Sequence, residues 1–398
     1  MLSTYTEKRL EDGEIGLVPD VSDAASPKES DAWSKPERKE YKIRVTDLEA
    51  KGTNRYHSGT SMKSPIPIDQ HCGFNSFLLI AQKLQIDFLP VSWQPALQGI
   101  GLGGTEETRQ SLMNLQMTFA FKRARQPSGS GLHETHIFRC LTAEILVLGH
   151  PSIYGHPNIL RLEGICWDVS PEDEKVLPFL VFEKSQYGDL GWFANSGSGI
   201  HMSFEHRSKL CADIVVAVQV MHSNSIIHGD IKPQNVLIFE DGSGGFTAKV
   251  TDFGYSTQFA GEETLINMPK SWPWNALEYH HRGFKPVAAI KMDVFALGLL
   301  CFWLLYKDHL AGSMDDLRME RCSTSCHSPC GEHQRYNIAK LKYERKLLVL
   351  AGRATMSADV NDERKESLRQ FFSSTLTYDT ADRNSDLRYL SSLLVADR

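Results

Sequence analysis

At 398 residues the chain has room for two average domains or one large two-lobed one. Hydrophobic residues make up 41% of it, enough for a sizeable core, and the mild net charge of −6 lacks the basic excess of a dedicated nucleic-acid binder. Eight cysteines are scattered, and the charged start MLSTYTEKRLEDGEIG has no apolar h-region. The thiols are therefore expected to be reduced and the protein intracellular, in cytoplasm or nucleus.

Residues 1–65 are expected to be a disordered tail, because SDAASPKESDAWSKPERKEYK is rich in Ser, Pro and charge and has few apolar anchors. An N-terminal extension follows over 66–94. Within it Phe74, Phe77, Leu78, Ala81 and Leu84 recur at i, i+3, i+4, i+7, which predicts a short helix. The glycine cluster QGIGLGG comes next. MTFAFKRA then alternates as a strand, with Met117, Phe119 and Phe121 on one face and Ala120 and Lys122 on the other. HETHIFRCLTAEILVLGH, residues 133–150, reads as a helix with Ile137, Leu141, Glu144, Ile145 and Leu148 near one face. LRLEGICW and PFLVFEK are apolar and strand-like. SKLCADIVVAVQVMH is a helix whose stripe Leu210, Ile214, Val218 and Met221 is core packing. The longest apolar run, Val294–Tyr306, reads as a buried helix, too short to span a bilayer. Strands with one helix, then mostly helices, make an α+β arrangement of two unequal lobes.

The most informative stretch is IIHGDIKPQNVLIF, residues 226–239, followed by TDFG at 251–254. Phosphoryl transfer from a nucleotide needs a backbone cradle for phosphates, a cation on them, carboxylates for Mg²⁺, and a group that orients the acceptor hydroxyl. D-x-K-x-x-N and DFG supply the last two in order. With these motifs, A-x-K at Lys122 and HPNILRLEG from His156, residues from about 95 to 395 resemble a eukaryotic protein kinase domain. WQPALQGIGLGG and NLQMTFAFKRA are also similar to fungal kinase-domain proteins. The resemblance implies a bilobal protein kinase-like fold. A small β-rich lobe with one main helix would occupy 95–183, and a larger helical lobe 184–398, with a loop insertion near 310–340.

What the resemblance implies for individual residues follows the motifs. Gly101, Gly103 and Gly104 belong to the loop over the ATP phosphates, although G-x-G-x-x-G fits in two registers. In the register Gly101, Gly103, Glu106 takes the place of the third glycine, and Thr108 replaces the usual Val over the adenine. Lys122 holds the α- and β-phosphates and pairs with Glu144. Its apolar flanks call for an anionic partner. Phe182 guards a back pocket, the backbone of Glu183 and Ser185 meets the adenine edge, Asp189 lies near the ribose, and Leu237 lies under the adenine. Asp230 orients the substrate hydroxyl, Lys232 neutralises the moving phosphoryl group, and Asn235 and Asp252 bind Mg²⁺ through hard oxygens. His228 and Phe253 pack in the core, Phe253 toward Leu148 and Leu162. Asp293 braces the catalytic loop. Glu278 pairs with Arg383 to tie down the segment Asp252–Glu278, which ends in Ala276-Leu277-Glu278 where the family writes A-P-E.

Lys232-Pro233 resembles the Ser/Thr form of the family, so the expected activity is ATP-dependent transfer to Ser/Thr hydroxyls of a protein substrate, with ATP and Mg²⁺ as cofactors. WPW before Ala276 resembles the Tyr form, which leaves dual specificity open. Two alternatives stand beside it. A small-molecule phosphotransferase also writes HGD but lacks K-P-x-N and the distant Arg. A pseudokinase scaffold would have lost Lys122, Asp230, Asn235 or Asp252, and none is lost. Gly229 replaces the usual Arg and cannot pair with a phosphate, so switching through that Arg is not expected. Thr257, Thr264 and Ser271 are hydroxyls in the segment. Cys322, Cys326, His327, Cys330 and His333 fall within twelve residues. They suit either zinc or a thiol-bearing loop, since their spacing matches no familiar zinc module. Partner identity beyond a protein substrate, and oligomeric state, are not legible.

Overall fold

The computed structural model describes residues 5–9, 15–19, 73–89, 98–102, 106–114, 117–124, 132–169, 176–280, 282–312 and 331–395. Two units divide the chain, Met1–Ser61 and Met62–Arg398. In the first, strands β1 (Tyr5–Arg9) and β2 (Ile15–Pro19) pair antiparallel within the stretch expected to be a tail. The connecting residues contain Asp12-Gly13, a strong turn former. A lone two-stranded hairpin is marginal in water.

The second unit begins with α1 (Phe74–Lys83), at the place its apolar spacing predicts. A five-stranded antiparallel sheet follows, built from β3 (Gln98–Leu102), β4 (Glu106–Asn114), β5 (Met117–Ala124), β6 (Leu162–Val169) and β7 (Val176–Glu183). Its order is β3-β4-β5-β7-β6, which leaves β6 at an edge. Helix α2 (Leu132–Leu148) lies between β5 and β6 in sequence. Its residues Phe138, Leu141, Ile145 and Leu148 are buried.

Beyond β7 the chain is mainly helical. The short helices α3 (Leu190–Phe193) and α4 (Gly197–Ile200) lead to α5 (Phe204–Ser223), whose N-cap Ser203 accepts from the backbone N–H of His206. Two small two-stranded sheets then interrupt the helices. β9 (Val236–Glu240) pairs with β10 (Phe246–Val250), and β8 (Ile226–Ile227) pairs with β11 (Thr257–Gln258). They set the HGD and DFG motifs side by side at the ends of short strands. Helices α6 (Pro286–Gly312), α7 (Gly331–Tyr343), α8 (Leu347–Ser357), α9 (Asp362–Thr375) and α10 (Leu387–Ser392) complete the unit. One continuous apolar core joins residues of α1, α2 and the sheet to those of α5, α6 and α9.

Length does not exclude α6 as a membrane span, contrary to the sequence expectation drawn from Val294–Tyr306. Its stretch Pro286–Lys307 is 22 residues long and apolar enough to cross a bilayer, but 78% of its apolar window is buried inside the folded unit. Burial, together with the internal charge of Asp293, marks it as the central helix of the core. Of the expected insertion near 310–340, residues 310–312 continue α6 and 331–340 belong to α7. Cys322, Cys326, His327 and Cys330 lie outside the described residues, and of His333 only the helical backbone is described.

Candidate active site

Lys122 is the fixed point of the site. It sits on β5, whose backbone register places it opposite Thr108 on one side and Leu180 on the other. Its ammonium donates to Glu144 Oε2 at 2.9 Å and to Asp252 Oδ1 at 2.8 Å. Glu144 has no exposed surface. Burial pushes its carboxyl up, while Lys122 and the backbone N–H of Phe253 pull it down. Burial likewise opposes the charge on Lys122, but Asp252 and Glu144 outweigh it and hold the ammonium above its ordinary range. Asp252 is held below the usual carboxylate range: burial opposes this, and Lys122 prevails. The expected Lys–Glu pair thus forms, and the metal-motif carboxylate joins it.

Gly101 lies in β3, opposite Thr108, with a bulge between Gly99 and Gly101. Gly103 and Gly104 lie outside the described residues. At the β7 end, Glu183 engages its side chain with Lys249 at 2.7 Å and accepts from the backbone N–H of Arg161 at 2.8 Å. Ser185 donates its hydroxyl to the carbonyls of Ile238 and Gly188. These bonds tie the connection between the lobes to β9, where Leu237 is half-buried and bridges Asp189. Phe182 is buried in β7. Asp189 caps α3 by accepting from the backbone N–H of Trp192.

The catalytic loop is held from below. Asp293, completely buried in α6, accepts from the backbone N–H groups of His228 at 2.9 Å and Gly229 at 3.0 Å. His222 of α5 shares the same carboxylate at 3.0 Å, a partner that the sequence reading missed. His228 packs its ring 5.4 Å from that of Phe253, and its Nε2 meets the carbonyl of Thr251 at 3.1 Å. Strands β8 and β9 therefore carry the loop, while Asp293 fixes its height. Asp252 itself has φ of +65°, a left-handed conformation that costs a non-glycine residue roughly 1–3 kcal/mol. The packing around Phe253 and the bond to Lys122 hold it there.

Asp230 is 3% exposed, and both of its oxygens are engaged. Oδ2 accepts from Lys232 at 2.7 Å and from the amide of Asn235 at 3.0 Å. Oδ1 accepts the hydroxyl of Ser271. Ser271 reads from sequence only as a hydroxyl open to modification. In the fold it donates to the Asp230 carboxylate, 41 residues away along the chain. No local pattern announces that contact. The amide of Asn235 also donates to the Asp230 carbonyl at 2.8 Å, so both of these bonds use its NH₂ group.

The segment ending at Glu278 is clamped from three sides. Arg383 has a fully buried side chain, grips both oxygens of Glu278, and donates to the carbonyl of Thr377 at 2.9 Å. Ile266 and Phe284 exchange backbone bonds of 2.8 and 2.9 Å. Lys342 of α7, 1% exposed, donates to the carbonyls of Pro273 and Asn275, at 2.5 and 2.7 Å. Burial lowers Lys342 from its ordinary 10.5 to about 8, against the pull of Glu278. Between those two values the unfolded chain holds the extra proton, so this group adds stability as pH rises through the window. Melting curves from pH 7 to 10 should show the parent gaining on Lys342→Met. A constant gap between the two would contradict this.

The family described as "Protein kinase domain" has a sequence model that matches residues 96–394. Among curated proteins, the rice (Oryza sativa subsp. japonica) "Cysteine-rich receptor-like protein kinase 6" is 28% identical over 223 residues, 54% of this chain and 29% of the relative. A "Probable serine/threonine-protein kinase" of Dictyostelium discoideum is 35% identical over 109 residues, 27% of this chain and 20% of the relative. "Wall-associated receptor kinase 4" of Arabidopsis thaliana is 28% identical over 234 residues, 57% and 28% of the two chains. The chain thus spans less than a third of the length of these relatives. The matched residues contain the Lys122–Glu144–Asp252 cluster, the Asp230 loop and the Glu278–Arg383 clamp, and the chain belongs to the protein kinase domain family.

Proposed function

We propose that this protein transfers the γ-phosphoryl group of ATP to Ser or Thr hydroxyls of a protein substrate. The observation that carries it is the state of Asp230: Lys232 and Asn235 occupy Oδ2, while a hydroxyl, that of Ser271, reaches Oδ1. A carboxylate so arranged can receive a proton from an alcohol brought to the same edge. The donor set suits Mg-ATP. Asp252 and the amide oxygen of Asn235 are hard ligands for Mg²⁺, and Lys122 offers a fixed cation to phosphate oxygens. Bound Mg-ATP supplies the phosphoryl group and the divalent charge. The chain's own residues orient the acceptor hydroxyl through Asp230, place a mobile cation through Lys232, and keep Lys122 charged through Glu144 and Asp252.

Incubation of the full chain with radiolabelled Mg-ATP and mixed protein substrates tests this proposal. Transfer to Ser or Thr that Asp252→Asn abolishes is the expected result. Nucleotide binding without transfer would overturn it in favour of a scaffold, and transfer to a small aminoalcohol alone in favour of a small-molecule enzyme.

Regulation follows from Gly229. It adopts φ of +83°, where an L side chain is strained by roughly 1–2 kcal/mol, and a Cβ there would lie 3.3 Å from the Tyr255 carbonyl and 3.8 Å from Met268. No guanidinium reaches the segment from this position. The Ile266–Phe284 backbone pair and the bond from the Tyr279 hydroxyl to the Met268 carbonyl hold the segment without phosphate. Phosphatase treatment should therefore leave the rate of transfer unchanged. A large loss of rate would contradict this.

A further inference from the structure

Helix α1 and the residues after it, 73–89, lie outside the stretch that matches the kinase family. They are nevertheless built into the small lobe. Phe77 and Ala81 have no exposed surface. Phe77 and Phe74 place their rings 6.1 and 6.0 Å from that of Phe138, a buried residue of α2. Leu84 closes over the end of the same helix: a Cβ on Gly149 would come within 3.1 Å of its side chain. The chain then runs to the exposed edge of the sheet. Ile165 of β6 donates to the Asp87 carbonyl at 2.9 Å, and Leu89 donates back to Ile165 at 2.8 Å. Phe88 stacks flat on Trp167 at 5.6 Å, and Phe74 of α1 lies tilted 5.8 Å from the same ring.

One short segment thus bonds to β6 and packs on α2 at once, and α2 carries Glu144. Phe138 and Glu144 are six residues apart, about 120° around the helix, so α1 presses α2 from a different side than the one that meets Lys122. The Lys122–Glu144 pair is buried, and Glu144 resists charging there. Such a pair is favourable only when its geometry is imposed by surrounding packing. Residues 73–89, which precede the family match, cover this face of α2 through Phe74 and Phe77.

We propose that residues 73–89 are a brace that positions α2, so that Glu144 reaches Lys122 without help from a partner protein. Phe77 is its main positioning residue. The proposal rests on the phosphotransfer reading above, and its test separates the two.

The test uses the full chain with Phe77→Ala, Phe77→Leu and Phe88→Ala, assayed well below each variant's melting temperature. Phe77→Ala is expected to raise KM for ATP and lower kcat by about tenfold, the scale of a typical coupling between sites. Backbone amide exchange across residues 140–148 should quicken together with these changes. Phe77→Leu should restore most of the rate. Phe88→Ala, at a position 43% exposed, should quicken exchange in α2 to a smaller degree and raise KM for ATP. A lower melting temperature with unchanged kcat, KM and exchange would reduce the segment to a structural prop and overturn the proposal. If Phe77→Ala does not fold, unchanged exchange and KM in Phe88→Ala overturn it instead. Should the parent bind Mg-ATP and transfer nothing, the phosphotransfer reading fails alone. Nucleotide affinity and amide exchange would still decide the brace.

Discussion

Replacing Asp230 with Asn is expected to lower phosphoryl transfer by about 10²- to 10⁴-fold while leaving Mg-ATP binding intact. The substitution keeps the size of a nearly buried side chain. Its amide must turn its oxygen toward Lys232 and Asn235, because both donate to Oδ2 in the parent. The NH₂ group then faces Ser271, and the edge proposed to receive a proton has become a donor. Lys122, Glu144 and Asp252 are untouched, so nucleotide affinity should hold. Ser271→Ala is a useful companion. It removes one hydrogen bond from Asp230 and should cost less than the loss of the carboxylate. Steady-state transfer measured beside nucleotide titration checks both. An Asp230→Asn enzyme with near-parent turnover would show that another group accepts the proton.

Arg383→Leu is expected to destabilise the large lobe by about 3 kcal/mol, near the lower end for breaking a buried ion pair. The Arg383 side chain is fully buried, whereas that of Glu278 keeps 28% exposure, and water can partly relieve the orphaned carboxylate. The carbonyls of Thr377 and Lys291 lose donors as well, and the face of Phe295 loses the guanidinium 4.7 Å above it. Adding Glu278→Leu should cost less than the sum of the single changes, since the uncompensated charge disappears with the second substitution. Denaturant unfolding of the two single variants and the double variant measures this. Additive losses would mean that the two side chains act independently.

Both predictions concern residues whose chemistry was legible early. The order Lys122, Glu144, Asp230, Lys232, Asn235, Asp252, Glu278, Asp293, Arg383 could be read along the chain from its resemblance to the protein kinase family, because the motifs that carry the resemblance are local and discrete. Helices α1, α2 and α5 declare themselves through apolar period, and β5 through alternation. α6 was legible as a buried helix, but for a reason the fold corrects. Its apolar stretch is long enough for a bilayer, and only packing against α5, α7 and α9 shows what covers it.

Other features had no local signature. His222 and Asp293 are 71 residues apart, and Ser271 and Asp230 are 41 apart. A His late in a helix and a Ser in a loop look like any others until the chain folds. The fate of residues 86–89 was equally hidden. Their pairing with β6 depends on that strand ending up at the edge of the sheet, which is a property of strand order rather than of either segment.

The sequence by itself determined the family, the chemical groups and the absence of an Arg beside Asp230, because covalent identity and short-range periodicity survive without coordinates. Tertiary structure alone decided which hydroxyl sits on Asp230, what covers α2, and how Gly229 can occupy φ of +83° beneath a segment held by backbone bonds. Those outcomes arise from contacts between distant parts of the chain. Their free energy appears only when both sides are desolvated together.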